Sequence, residues 1–299
     1  MIAFYLTHEY WFAAAQLSLA MLGMGATLTV RDFKNIALAP MGFSLGTLMQ
    51  LLLVPLIAFA FIAFSGAAVG VLVGLALIAS IPGGTVSNIF TYFAKGNTPL
   101  SIAITVITTI ACLITTPLIL SFLISEHMPS DFVMPAARIA LEISVFLLLP
   151  LIIGMIVLKQ LPKLAPAISK WGIRSSLFII LLIVIGSAGA GRLDIDAFGA
   201  DNLKLVIMFI GVIALIGAAI PIILKRKRGE LIAIQFEVTI RNTNLGLLIN
   251  ASLFPVGHPL SDTVLFTLLL YGALMLLISA VLIGVYRVYQ GVKRSEAKV

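Results

Sequence analysis

Nine apolar stretches, at 11–30, 40–64, 68–94, 98–124, 133–158, 171–190, 203–224, 231–254 and 263–286, follow one another along the chain with short polar joints between them. About 20 apolar residues in a helix cross the hydrocarbon core of a bilayer, where backbone polar groups have no water and must be satisfied within the segment. The pattern predicts an all-α integral membrane protein of about nine transmembrane helices. Composition agrees, because 61% of the 299 residues are hydrophobic and 10% are charged, against about 25% charged in an ordinary soluble domain. A soluble fold of this length has too little interior to hide that much apolar surface.

Charge between the stretches orients them. Arg31, Lys34, Lys95, Lys159, Lys163, Lys170, Arg174, Lys225, Arg226, Lys227 and Arg228 lie in one set of joints, with Arg287, Lys293, Arg294 and Lys298 after the last stretch. The other joints and the N-terminus hold Glu9, Glu126, Asp131, Asp194, Asp196, Asp201 and Asp262. The positive-inside rule places the N-terminus outside and the C-terminus in the cytoplasm of a cell (inner) membrane. The net charge of +7 then reflects topology and membrane lipid, and calls for no nucleic acid. Met1 to Glu9 lacks a basic region and a small-residue cleavage site, so the first apolar stretch is expected to be a retained helix.

Two stretches are interrupted. The third carries Pro82, Gly83 and Gly84 followed by Thr85, Val86, Ser87 and Asn88, and the eighth carries Glu237, Thr239, Arg241, Asn242, Thr243, Asn244 and Gly246. Proline and glycine break a helix, and ionisable groups at membrane depth each cost roughly 2.5–3.5 kcal/mol to insert, so these positions mark a site where charge and exposed backbone are used. The competing reading is a pair of packing kinks held by polar side chains. The interruptions fall five stretches apart, and an odd offset inverts the second copy. Stretches one to four and six to nine would form an inverted repeat whose broken helices meet near the midplane, an architecture of secondary transporters.

Met24, Gly25, Thr27, Leu28, Thr29, Asp32, Phe33, Pro40, Gly46, Gln50, Pro55 and Leu56, the segment 82–88, Glu237, Val238 and the segment 242–246 together resemble the bile acid:sodium symporter family over nearly the whole chain. Some bacterial relatives have ten helices; this chain is similar to the nine-helix members and begins at what would be the second of the ten. The resemblance implies a core of stretches two to four and seven to nine (about 40–124 and 203–287) moving against a panel of stretches one, five and six (about 11–30 and 133–190). It implies one sodium site at Ser87, Asn88, Ser101, Thr105 and Glu237, and a second at Gln50, Glu237, the backbone near Val238 and Ile240, and position 241. Oxygen ligands suit sodium, a hard cation, and Ser101 and Thr105, four apart, share a helix face.

Position 241 departs from the family pattern, which has glutamine there. Arg241 has no acceptor atom and cannot ligate sodium. Three readings stand: its guanidinium pairs with Glu237 one turn earlier as a fixed surrogate cation, it turns to the central cavity to hold an anionic substrate, or it forms a static salt bridge. At most one sodium per cycle is then expected, with sodium-independent or proton-coupled carriage as the alternative. Thr85 and Asn242, which match family substrate contacts, would hold an organic anion, either bile-acid-like or a small hydroxy or keto acid such as pantoate. The smaller acid is the preferred expectation.

Other polar residues carry less. Arg138 and Glu142 are spaced for a local ion pair, Gln16 and Ser18 for helix contacts or the cavity, and Cys112 for packing. The histidines, His8, His127 and His258, all fall in outer joints, and every Asp lies outside the apolar stretches, so no nucleophile–base set for an intramembrane enzyme can be assembled. A channel would need a continuous polar lining, whereas the polar residues gather at one depth. No cofactor is expected beyond sodium as coupling ion.

Overall fold

The structure, a computed structural model, describes residues 2–29 and 40–296, apart from the side chains of Thr85 and 289–296. Arg31, Asp32, Phe33, Lys34 and Lys298 fall outside the described residues, as do the side chains of Thr85, Lys293 and Arg294. Among the described residues all regular structure is helical apart from one isolated bridge. The helices are α1 (Ile2–Gly25), α2 (Pro40–Ser65), α3 (Val69–Ser80), α4 (Thr85–Phe93), α5 (Thr98–Ile124), α6 (Ala136–Gln160), α7 (Ala165–Gly189), the short α8 (Ile195–Phe198), α9 (Ala200–Ile223), α10 (Arg228–Thr239), α11 (Thr243–Leu253) and α12 (Ser261–Glu296).

Six of these, α2, α5, α6, α7, α9 and α12, are long and apolar enough to cross a membrane. They are also poorly covered by protein, with only 22% to 50% of their most apolar windows buried, and residues such as Phe122, Leu215 and Val281 stand exposed on them. Apolar surface of that extent is what lipid covers, so the chain is a multi-pass membrane protein. The first helix departs from its expected span: it begins at Ile2 rather than near residue 11, with a kink at His8, and ends at Gly25. Glu9 is tolerated inside it because Tyr5 and Arg192 hydrogen-bond its carboxylate.

The third and eighth stretches are each divided in two. Here α3 and α4 are separated at 81–84, and α10 and α11 at 240–242. Proline at 82 cannot continue α3, and Ile240 is extended (φ −94°, ψ 110°), which ends α10. Polar groups freed by unwinding are costly in an apolar interior, and the two breaks satisfy each other. Asn242 N–H donates to the Pro82 carbonyl at 2.9 Å, and Gly84 N–H donates to Ile240 at 3.3 Å, with Gly83 facing Arg241 in an antiparallel bridge. Protein surrounds this crossing: every residue of α3 from Gly70 to Ser80 and of α10 from Ile232 to Thr239 is buried.

Two π-helical turns lie in the long helices, Met49–Leu53 in α2 and Ile143–Leu148 in α6. They sit at Gln50 and directly after Glu142, both buried polar side chains. Such turns commonly accompany functional positions because the extra residue re-aims a side chain. Elsewhere α1 lies against α7 and α6. Its contact with α6 is backbone-close: a Cβ on Gly154 would come within 2.4 Å of the Leu22 carbonyl oxygen, so glycine alone fits there.

Candidate functional site

Glu237, on the last turn of α10, is fully buried beside the crossing. Its Oε1 receives hydroxyl hydrogen bonds from Ser87 (2.5 Å), Ser101 (2.5 Å) and Thr105 (2.8 Å), and its Oε2 lies 2.8 Å from Thr105 and 3.0 Å from the Gln50 amide nitrogen. Asn88 Oδ1 stands 2.8 Å from the Ser101 hydroxyl and 3.2 Å from that of Thr105. Three elements converge on Glu237: α4 supplies Ser87 and Asn88 in its first turn after the Pro-Gly-Gly break, α5 supplies Ser101 and Thr105 from one face, and the π turn of α2 supplies Gln50. Gly83 makes the approach possible, since a Cβ on it would meet Glu237 Oε2 at 2.8 Å and Gln50 Nε2 at 2.9 Å.

The cluster is rich in acceptors and poor in protons. Each hydroxyl carries one proton but faces two or more oxygens: Ser87 reaches Glu237 and the Gly84 carbonyl (2.6 Å), Ser101 reaches Glu237 and Asn88, and Thr105 reaches Glu237, Asn88 and the Ser101 carbonyl (3.1 Å). Oxygens that converge without enough protons between them form the donor set a hard monovalent cation prefers, with one carboxylate to balance its charge. The grouping fits sodium by chemistry. It offers no soft or imidazole ligands, and among the described residues no group of His, Cys, Asp and Glu gathers to hold a transition metal.

Arg241 is 2% exposed and its guanidinium is spent on backbone. Nε donates to the Ile78 carbonyl (3.1 Å), Nη2 to the carbonyls of Ala79 (3.0 Å) and Ile81, and Nη1 lies 3.5 Å from Gln50 Oε1. These carbonyls end α3, where the helix leaves acceptors without partners and its dipole is negative, so a fixed cation is stabilised there. The expected ion pair with Glu237 is corrected: among the described residues these two do not form one, and Gln50 stands between them. A one-turn pairing requires the helix to continue, but α10 stops at Thr239, so Arg241 swings across to α3. Of the backbone proposed for the second sodium, the Ile240 carbonyl is taken by Gly84, and Val238 is buried on α10.

A cavity of about 90 Å³ lies beside the crossing, between Gly84, Val86, Asn242 and Asn244 on one side and Ala20 and Ser176 of α1 and α7 on the other. The N-termini of α4 and α11 border it, and helix N-termini favour negative charge. Asn242 lines the cavity and caps α11 by accepting from Leu245 N–H at 3.4 Å. Arg241 contributes to the wall, although its guanidinium nitrogens turn toward α3 and Gln50.

Residues 14–190 match the model of the sodium bile acid symporter family. That stretch is more than half of the chain and carries α3, α4 and α5 with their share of the Glu237 cluster. The chain belongs to the sodium bile acid symporter family. Among its relatives are the uncharacterized sodium-dependent transporter YocS of Bacillus subtilis, 31% identical over 84% of this chain and 80% of the relative. The human ileal sodium/bile acid cotransporter is 30% identical over 92% of this chain and 78% of its own length. Members of this symporter family are transporters, not enzymes, which agrees with the absence of catalytic groupings expected from sequence.

Several participants at the site had no signal in the sequence. The Ile78, Ala79 and Ile81 carbonyls that hold Arg241 are backbone of apolar residues. Thr91, which donates toward Ser101 at 3.3 Å, and Tyr271, whose hydroxyl donates to the Thr239 carbonyl at 2.8 Å, read as ordinary helix polar residues.

Proposed function

We propose that this chain is a secondary transporter that couples one sodium ion to the movement of a small organic anion by alternating access, with Arg241 occupying the place of a second sodium. The observation that carries the reading is the acceptor-rich cluster on Glu237, next to a guanidinium fixed on the C-terminal carbonyls of α3. Ser87, Asn88, Ser101, Thr105 and Glu237 hold the sodium. In the Gln50, Val238, Ile240 and position 241 region, the permanent charge of Arg241, anchored on the Ile78, Ala79 and Ile81 carbonyls, lies beside Gln50 and takes the place of a second ion's charge. The relatives' names, a sodium-dependent transporter and a sodium/bile acid cotransporter, support sodium as the coupling ion and an organic anion as cargo.

The cargo sits in the cavity between the crossing and α1–α7, its carboxylate facing the N-termini of α4 and α11, with Thr85 and Asn242 as hydrogen-bonding contacts. A space of about 90 Å³ is below the roughly 300–1,000 Å³ of sites that enclose drug-sized ligands, which favours a small hydroxy or keto acid such as pantoate over a steroid. Nine spans, an inverted repeat of spans one to four and six to nine, and a core (40–124, 203–287) moving against a panel (11–30, 133–190) complete the proposal. The N-terminus faces out and the C-terminus the cytoplasm of the cell membrane.

Uptake of pantoate and of taurocholate into proteoliposomes, with and without an inward sodium gradient, tests this reading. Sodium-driven uptake of the smaller acid is expected, and uptake indifferent to sodium, or driven by a proton gradient, would contradict the coupling.

A further inference from the structure

At the end of α1 and α7 remote from the cavity, a second polar cluster is built around Arg192, which follows the last turn of α7 and whose side chain is 5% exposed. Nη1 donates to Glu9 Oε1 at 2.7 Å on α1, Nε to Asp262 Oδ1 at 2.5 Å and Nη2 to the Ser261 hydroxyl at 2.8 Å, the last two at the start of α12. Burial alone favours a neutral guanidine, but the carboxylates of Glu9 and Asp262 more than reverse this, and its affinity for the proton is raised. Tyr5 joins Glu9 (3.2 Å) to Ser187 of α7 (2.8 Å), tying the cluster into the α1–α7 pair. Next to Glu9 on α1, Tyr10 donates to Glu142 of α6 at 3.3 Å, and Glu142 also accepts from the Ser252 hydroxyl of α11 at 2.7 Å.

The position of these contacts decides what they can do. Counted along the helices at about 1.5 Å per residue, Glu9 lies roughly 16 Å from Ala20, and the end of α7 roughly 20 Å from Ser176. The cavity and the Arg192 cluster therefore occupy opposite halves of the same antiparallel pair. Both ion-bearing contacts cross from α1, α6 and α7 to α11 and α12. A charged group buried this deeply loses its partners only at high cost, so a surface held this way opens as a unit and does not fray.

We propose that Arg192, holding Glu9 on one side and Asp262 with Ser261 on the other, is a latch that keeps the outer face of the transport path shut while the cavity is open toward the cytoplasm. The latch rests on the core–panel reading given above. It predicts that removing the guanidinium shifts the resting population toward an outward-open state, without touching either the Glu237 cluster or the cavity wall.

The test uses two single-cysteine reporters in a Cys112→Ser background: Ala251→Cys, between Asn250 and Ser252 on α11, and Ser176→Cys in the cavity wall. Each is labelled with a membrane-impermeant maleimide from the side it reports, in the full-length reconstituted protein, with and without Arg192→Gln. At least a tenfold faster outer labelling of Cys at 251, with slower labelling at 176, supports both the latch and alternating access. Faster outer labelling with no change at 176 overturns the core–panel reading and the latch with it. Unchanged labelling at 251, or faster labelling at both positions as in a loosened fold, overturns the latch; Arg192→Lys, which keeps a charge near Glu9 and Asp262, is expected to restore most of the parent rate.

Discussion

In the proposed ion site Glu237 matters most, because it contributes the only formal negative charge among the six side chains of the cluster. Glu237→Gln keeps the shape and the bond to Gln50 but removes that charge, so sodium-stimulated uptake is expected to fall to background while the protein still folds, as read by uptake and by size-exclusion profile. Thr105→Ala removes a hydroxyl that reaches both carboxylate oxygens. A lost ligand to a charged group is worth about 1.5–3 kcal/mol, so half-saturation is expected at roughly 10- to 100-fold higher sodium. Arg241 plays a different part: Arg241→Met leaves the Ile78, Ala79 and Ile81 carbonyls without donors, at about 1–3 kcal/mol for each buried group, and a large drop in melting temperature is expected. At this scale much was legible in the sequence. A carboxylate, an arginine and several hydroxyls at membrane depth stand out against an apolar background, and the family resemblance grouped Ser87, Asn88, Ser101 and Thr105 with Glu237. Arg241's partners did not stand out, since backbone carbonyls have no letter of their own.

At the scale of elements, the breaks are the feature that positions the site. Pro82 with two glycines is a signal that sequence reading catches, and the end of α10 is not: Thr239 and Ile240 contain no breaker, and the helix stops because Gly84 and Pro82 exchange hydrogen bonds with Ile240 and Asn242. That tertiary pairing is why the spacing of Glu237 and Arg241 suggested a one-turn ion pair that does not form. Close approach also sets α1 against α6. Gly154→Ala places a methyl within 2.4 Å of the Leu22 carbonyl and is expected to force α1 from α6, lowering the melting temperature by several degrees. Gly211→Ala on α9, where nothing lies within 4 Å, is expected to change it little; equal effects would show that the α1–α6 contact has no special constraint.

For the molecule as a whole, poorly covered long helices surround the buried crossing of two broken ones, and the apolar pattern alone foretold the first group. The alternation of basic and acidic joints predicts an outside N-terminus and a cytoplasmic C-terminus. Cysteines placed at Thr7 and at Lys163, in the Cys112→Ser background, are expected to label from outside and inside respectively in intact cells, and the reverse would overturn the topology. Arrangement in space was less legible: the Arg192 cluster joins Glu9 to Asp262 across most of the sequence, and nothing local to either carboxylate announces its partner. The central claim is that one sodium and one fixed guanidinium do the work of two ions. Equilibrium binding of radioactive sodium to the purified protein measures it most directly. One ion per chain is predicted for the parent and two for Arg241→Gln, whereas two ions in the parent, or none in either, would contradict the account.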